Sequence, residues 1–364
     1  DMVRHMEVLP DNNPDTMGTP DAILIRPSLL AVFDTLKDEL YITAPVYVRD
    51  GVTAQQAHES AQTRIEEAIA RLERPYPHTR DLPDIESIEV TSNTSPGAYM
   101  EMVRQAQEYI KAGDIFQVVL SQRFSADFTL PPTALYRALR RTNPSPYMYF
   151  LDFGDFCVAG SSPEILVRVD KGEVTIRPIA GTRPRGASPA EDDALEADLL
   201  ADAKECAEHL MLLDLGRNDV GRVAKIGTVR PTEKFIIERY SHVMHIVSNV
   251  IGELSPEHDA LSALLAGLPA GTVSGAPKVR AMEIIEEMEA VGRGLYAGTA
   301  GYFGASGDMD QAITIRTLVF NGDEYSFQAG AGIVYDSVPE KEYQEVLAKS
   351  AILRRALEIA GEGL

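Results

Sequence analysis

The stretch LPAGTVSGAPKVRAMEII (268–285) limits the possible folds most sharply. Gly271, Gly275 and Pro277 exclude a strand or helix running through it, while Lys278–Glu289 carries helical spacing: Val279, Met282, Ile285 and Met288, with Ile284 widening the stripe. The reading is an irregular loop feeding a helix, with Pro277 at the first helical position, where a missing N–H costs nothing. Loop donors and the helix N-terminus, with Thr272 and Ser274, would then seat a carboxylate or phosphate. An ordinary loop-to-helix junction looks the same, so the rest of the chain has to decide.

Taken in order, residues 22–48 hold two short apolar runs, broken by Pro27 and Pro45, that read as strands near a sheet edge. An amphipathic helix is expected over 53–73, with Ile65, Ala68, Ile69 and Leu72 on one face. The proline-rich, polar run 73–97 reads as a linker. Ser95 and Pro96 then start a helix that Gly113 ends, and IFQVVLSQRF (115–124) is a strand. A short helix (131–142) leads through the turn Asn143-Pro144-Ser145-Pro146 into a strand that includes Tyr147 and Met148. Strands continue to residue 181, a long helix covers 192–213, and further strands lie near 243–251, 297–303, 311–320 and 325–335. Asn321-Gly322 joins the last two as a hairpin turn, and a final helix spans 339–360. This order is α+β, without a βαβ repeat.

Composition narrows the function. A formal charge of −21 disfavours nucleic acid and anionic membranes as partners, though not a small anion in a locally basic pocket. No stretch approaches the apolar length of a membrane span. Cys157 and Cys206 are the only cysteines and have no zinc-ligand spacing, which suits a reducing cytoplasm. The chain opens on Asp1, inside what reads as the middle of a longer sequence, so a preceding segment is expected.

Two acidic pairs have i,i+3 spacing, Glu205 with Glu208 and Glu342 with Glu345, so each pair lies on one helical face. Each is either a solvated face or half of an oxygen site suited to Mg²⁺. His245, in an apolar strand, is a structural histidine or a general acid–base group. Glu164 follows a tight Ser-Ser-Pro turn, either exposed or held protonated away from water. Arg316 interrupts an apolar strand and needs an anion, from the protein or from a ligand. Tyr296 is a core residue or a hydroxyl donor, and Lys349 a surface lysine or an anion ligand.

Together, IRPIAGTRPRG (176–186), ECAEHLMLLDLGRNDVGRV (205–223), LPAGTVSGAPKVRAMEII (268–285) and FQAGAGIVYDSVPEKEYQEVLAKS (327–350) resemble the chorismate-utilising enzymes, and most of all the anthranilate synthase component I branch. The resemblance runs from residue 97 to about 357. It implies a large mixed α/β sandwich of two antiparallel-rich sheets with helices outside, with residues 1–92 as an N-terminal remnant plus linker and 93–364 as the catalytic domain. Isochorismate-forming members have a water-activating lysine where this chain has Gln117. Aminodeoxychorismate-forming members typically have a lysine where PIAGT here has Ala180. Aminodeoxychorismate synthase, or an inactive partner-binding subunit, is the alternative.

The implied reaction takes chorismate and ammonia to anthranilate and pyruvate. By resemblance Glu208 and Glu345 hold Mg²⁺, supported by Glu205 and Glu342. Glu164 protonates the departing hydroxyl and His245 assists in proton removal. Tyr296 and Arg316 grip the enolpyruvyl carboxylate. Thr272, Gly330, Gly332, Lys349, Ala180, Gly181 and Thr182 line the pocket. A glutamine amidotransferase subunit would supply ammonia, making a hetero-oligomer. Asn143, Pro144, Ser145, Pro146, Tyr147 and Met148 resemble half of a tryptophan feedback site, the other half falling in the segment expected before Asp1. Without that segment, inhibition by tryptophan is expected to be lost or weakened, and normal inhibition in a steady-state assay would refute this.

Overall fold

A computed structural model describes residues 2–47, 49–75, 88–240 and 243–361. The chain divides into two units, Ala22–Leu82 and a larger one made of Asp1–Asp21 with Pro83–Leu364. This groups the first residues with the larger unit, where the sequence reading had grouped 1–92. Their anchor there is Glu286, whose carboxylate accepts from the Asn12 and Asn13 N–H groups at 2.8 and 2.9 Å and pairs with Arg4. Residues 76–87 of the expected linker lie outside the described set.

In the smaller unit β1 (Leu30–Asp34) and β2 (Glu39–Thr43) pair only with each other among the described residues, so they form a separate hairpin and not the edge of a larger sheet. Helix α1 (Ala54–Leu72) starts at a reciprocal cap between Thr53 and Gln56. Of its expected apolar face, Ile69 and Leu72 are exposed.

The larger unit opens with β3 (Thr91–Ser92) and α2 (Pro96–Ala112). Ser95 caps α2 by accepting from Ala98 N, and Gly113, at φ +87°, ends it in the left-handed region. There follow β4 (Gln117–Asp127), α3 (Pro132–Thr142), β5 (Tyr147–Asp152), β6 (Phe156–Ser162), β7 (Ile165–Asp170), β8 (Glu173–Ile176) and β9 (Ile179–Pro184). The long helix expected over 192–213 is two helices, α4 (Pro189–Ala201) and α5 (Ala203–Gly221). Asp202 breaks them apart because its carboxylate accepts from Lys204 N and Glu205 N and also binds Arg183. Then come β10 (Arg230–Arg239), β11 (Val243–Glu253), α6 (Ala260–Gly267), β12 (Gly275–Ala276) and α7 (Lys278–Met288). Pro277 is the cap residue of α7, one place earlier than expected, and the buried stripe is Ala281, Met282, Ile284 and Ile285, with Val279 exposed. The chain ends with β13 (Thr299–Phe303), β14 (Met309–Ile313), β15 (Thr317–Asn321), β16 (Glu324–Ile333) and α8 (Pro339–Gly361).

The strands form two antiparallel sheets. One runs β10-β11-β8-β7-β14-β13, with β9 also on β11; the other runs β12-β4-β16-β15-β6-β5, with β3 on β4. Helices α5 and α6 pack on the first, α2 and α8 on the second. Val167, Val169, Val174, Val250 and Ile313 of the first sheet share a core with Leu213, Val220, Ala263 and Leu264 of its helices. This is the layered sandwich expected from the sequence. The strand expected over 311–320 is instead two, β14 in one sheet and β15 in the other. Strands β6 and β7 divide between the sheets in the same way, so two chain segments cross side by side, with Ser161 N donating to Arg316 O and Ile313 N to Glu164 O.

Candidate active site

Glu164 and Arg316 are the kink residues of the two crossings. Arg316, between β14 and β15, sits at φ +50°, in the left-handed region that residues with a side chain seldom adopt. Among the described residues it makes no ion pair, so it carries a charge available to a ligand. Burial lowers its pKa from the usual value, with Glu164 and Tyr240 pulling the other way. Glu164 is 8% exposed. Burial pushes its carboxyl up to about 8, only partly opposed by Thr272, Lys349 and Arg316. The Thr272 hydroxyl lies close enough to favour the ionised form, yet its buried oxygen completes no hydrogen bond. Both line a small cavity of about 30 Å³ together with Ile165, Leu212, Gly271 and Ile313.

His245, on β11, has Nδ1 3.0 Å from Gly181 O and 3.1 Å from Thr182 Oγ1. A carbonyl can only accept, so Nδ1 carries the hydrogen and Nε2 is left as the basic nitrogen. Burial lowers the ring's pKa, so the imidazole is neutral near pH 7, ready to take a proton. Ala180 and Gly181 reach this place through β9, whose register pairs Ala180 with Ile246. Gly181, at φ +73°, has no room for a side chain: a Cβ there would meet Ile246 Cδ1 at 3.1 Å and Glu205 Oε2 at 3.2 Å.

The two acidic pairs come from the N-terminal parts of α5 and α8, with Glu205 and Glu342 in the first turn of each and Glu208 and Glu345 one turn on. Glu208 is raised by burial, then by Glu205 and, after an opposing hydrogen bond from Gln117, by Glu345. Glu205 and Glu342 are likewise raised by burial first, and each also feels Glu345. Nearby cations are few: Arg183 stands 3.7 Å from Glu205, and Lys349 2.8 Å from Glu345. As placed, no three His, Cys, Asp or Glu side chains among the described residues form a closed metal cage. The donor chemistry nevertheless fits a hard cation, since Glu345 raises Glu205, Glu208 and Glu342, Glu205 also raises Glu208, and an ion among them would offset that. Gln117 Nε2 donates to Glu208 Oε1 at 2.8 Å while its Oε1 is buried without a partner.

Lys349 Nζ also donates to Gly330 O at 3.0 Å. Burial pulls its ammonium down, but Glu345, then Tyr296 and Glu208, hold it above the usual range, and 49% of the side chain is exposed. Gly330 and Gly332 lie on β16 where neighbours press in: a Cβ on Gly330 would meet Leu120 O at 2.7 Å and the Tyr296 hydroxyl at 3.0 Å, and one on Gly332 would meet Gln117 Nε2 at 2.4 Å. Tyr296 is thus brought to the same cleft. Asn143–Met148 sits elsewhere in the sheet, at its edge strand: Asn143 Nδ2 donates to Ser161 Oγ at 3.1 Å and the Tyr147 hydroxyl to Asp310 at 3.1 Å.

The loop 268–277 differs from its sequence reading in one respect. Its donors mostly bond inside the protein: Val273 N to Ala270 O, Ser274 N to Gly271 O, and Ser274 Oγ to Ala270 O at 2.8 Å. The Thr272 hydroxyl, buried without a hydrogen bond, is left for a ligand. A network unmarked by the motifs holds this loop. Arg293 donates to Val273 O and Val119 O, both at 2.6 Å, and to Glu289, whose carboxylate also accepts from Ser121 N and Oγ at 2.9 and 2.7 Å. The Arg293 guanidinium lies 5.4 Å from the Tyr296 ring centre. From the sequence, Glu289 and Arg293 are merely an i,i+4 pair at a helix end, the commonest kind of surface pairing.

The family model for chorismate binding enzyme matches residues 1–355. The chain belongs to that family. Within it, the chain is similar to anthranilate synthase component 1 of Cereibacter sphaeroides, 61% identical over 362 residues, covering 99% of this chain and 72% of that one. The component 1 of Pseudomonas putida is 52% identical over 368 residues, with 99% and 73% covered. These place the chain in the anthranilate synthase component 1 branch of the chorismate binding enzymes. The crystal structure of anthranilate synthase component I from Streptococcus pneumoniae matches with a TM-score of 0.88 and 44% identity, over 97% of this chain and 78% of that one. The menaquinone-specific isochorismate synthase of Escherichia coli matches with a TM-score of 0.72 and 26% identity, over 82% and 69%. No helix among the described residues is long and apolar enough to cross a membrane.

Proposed function

We propose that this chorismate binding enzyme converts chorismate and ammonia to anthranilate and pyruvate with release of water, as the ammonia-using lyase component of tryptophan synthesis. The observation that carries the reading is Glu164: a carboxyl buried at the crossing, neutral at pH 7, beside the unpaired Arg316. Expelling a hydroxyl as water requires a proton at that oxygen, and a carboxyl with a pKa near 8 still holds one to give. Ammonia adds at ring C2 as the C4 hydroxyl leaves with the Glu164 proton. His245 Nε2 then takes the C2 proton while the enolpyruvyl side chain departs as pyruvate. Arg316 and Tyr296 hold the enolpyruvyl carboxylate, and Lys349 and Thr272 line the pocket with Gly330 and Gly332, so orientation and charge carry the catalysis.

Gln117 supports ammonia over water as the nucleophile, since a neutral amide bonded to Glu208 cannot act as a base. Glu208 and Glu345 would hold Mg²⁺, with Glu205 and Glu342 behind them; when bound, the ion supplies a Lewis acid for the ring carboxylate. A glutamine amidotransferase subunit would supply the ammonia in a hetero-oligomer. The Asn143–Met148 edge would contribute to tryptophan inhibition, and the free thiols of Cys157 and Cys206 suit the cytoplasm.

The test is anthranilate fluorescence with chorismate, ammonium salt and Mg²⁺ and no partner subunit. A signal that EDTA abolishes and excess Mg²⁺ restores is expected. Loss of chorismate without fluorescence would point to the 4-amino product instead, and a signal indifferent to EDTA would remove the metal from the scheme.

A further inference from the structure

We infer that Tyr240 is a positioning residue that sets the plane of the His245 ring, a role that rests on the proton-removal step assigned to His245 above. Among the described residues, the polar contacts of that ring are made at one atom, Nδ1. Those bonds hold the Nδ1 edge of the ring, and the rocking that remains about χ2, with the direction of Nε2, is limited by what packs against the ring. Tyr240 supplies that constraint. Its ring meets the His245 ring edge-on, at 62° with centroids 5.6 Å apart, a favoured aromatic arrangement.

Tyr240 is itself held from three sides. Its N–H donates to Val243 O at 2.8 Å. Its carbonyl accepts from Arg185 Nη1 at 2.6 Å. Its hydroxyl donates to Glu238 Oε2 at 2.8 Å, and Glu238 is gripped in turn by Arg177. Tyr240 is also within electrostatic reach of Glu164 and Arg316. The chain Arg177–Glu238–Tyr240–His245 thus runs from the segment between β8 and β9 to the His245 ring, and of its members only Arg177 lies in one of the sequence motifs.

The experiment compares Tyr240→Leu and Tyr240→Phe in the full chain, using steady-state anthranilate formation and ¹H–¹⁵N shifts of the His245 imidazole. Tyr240→Leu is expected to lower kcat by about 10- to 100-fold with KM for chorismate within about twofold, because a misdirected base costs turnover and not substrate affinity. Tyr240→Phe keeps the ring and is expected to stay within about threefold of the parent. The His245 shifts should move in the Leu variant and hold in the Phe variant. Should Tyr240→Leu fail to fold, Tyr240→Met, with a long non-aromatic side chain, carries the same expectation. The inference is overturned by a Leu or Met variant with parental kcat, by a loss that appears in KM, or by a Phe variant as impaired as the Leu. A parent chain that forms no anthranilate would sink the functional reading instead; the His245 shifts would still decide whether Tyr240 sets the ring, unchanged values overturning it.

Discussion

Glu164→Gln is expected to lower kcat for anthranilate formation by about 10²- to 10⁴-fold while making the ligand-free chain more stable at neutral pH. The amide fills the same space but has no proton to deliver. The gain in stability follows from the raised pKa. Glu164 goes from 4.5 in an exposed setting to about 8 in the fold. Below 4.5 both folded and unfolded chains hold the proton, and this group's contribution is fully present. Between 4.5 and 8 the unfolded chain releases it and the folded one does not, so stability falls by about 1.4 kcal/mol per pH unit. Above 8 both states are ionised and the penalty levels off. Glutamine is neutral throughout, so the variant should gain on the parent from pH 5 upward, on the order of 3 kcal/mol by pH 7. Urea unfolding of both proteins at pH 5, 7 and 8.5 measures this. Parallel pH profiles would mean that Glu164 is ionised in the fold and is not the acid. In the parent, kcat is expected to decline as pH rises through about 8, where the acid form is lost.

The second large effect belongs to Glu289, which has no part in the chemistry. Glu289→Ala leaves the Arg293 guanidinium buried without its carboxylate and removes the acceptor of Ser121 N and Oγ. Breaking a buried pair from one side costs about 3–5 kcal/mol, since an uncompensated charge is left in a low-dielectric interior. Replacing both partners with apolar groups, Glu289→Leu with Arg293→Met, should recover most of that loss. It should not recover function. Arg293 ties the loop that carries Thr272 to β4 and sits against the Tyr296 ring, so the double variant should fold yet show a KM for chorismate raised about tenfold. Urea midpoints and steady-state kinetics on the two variants separate the effects. A Glu289→Ala chain as stable as the parent would show that Arg293 finds another counter-charge.

The motifs and periodicities were enough to find most strands and helices, and where they misled the cause is local competition. Asp202 looks like one more polar residue on a helix surface until its carboxylate is seen to bind two backbone N–H groups and an arginine. Strand β10, RPTEKFIIER, is half-exposed at a sheet edge and lacks the alternation that marks a strand with one buried face. Helix α6 is only eight residues and nearly all apolar, which periodicity cannot distinguish from a buried strand.

What the sequence determined by itself is the set of chemical groups: the two i,i+3 acidic pairs, a histidine and an arginine set in apolar strands, a carboxyl after a tight turn, and glycines where β16 allows no side chain. Local spacing and residue type are encoded directly in the chain, so these were legible at once. What only the tertiary structure decided is which of them meet and in what state of charge. Glu164 and Arg316 are 152 residues apart, and they become neighbours because β6–β7 and β14–β15 each pass from one sheet to the other at the same place. The neutrality of Glu164 and of His245 comes from the atoms packed around them, and burial depends on the whole fold and not on neighbours in sequence. The same holds for Tyr240, Glu289 and Arg293, ordinary residues in sequence whose roles come entirely from what they touch.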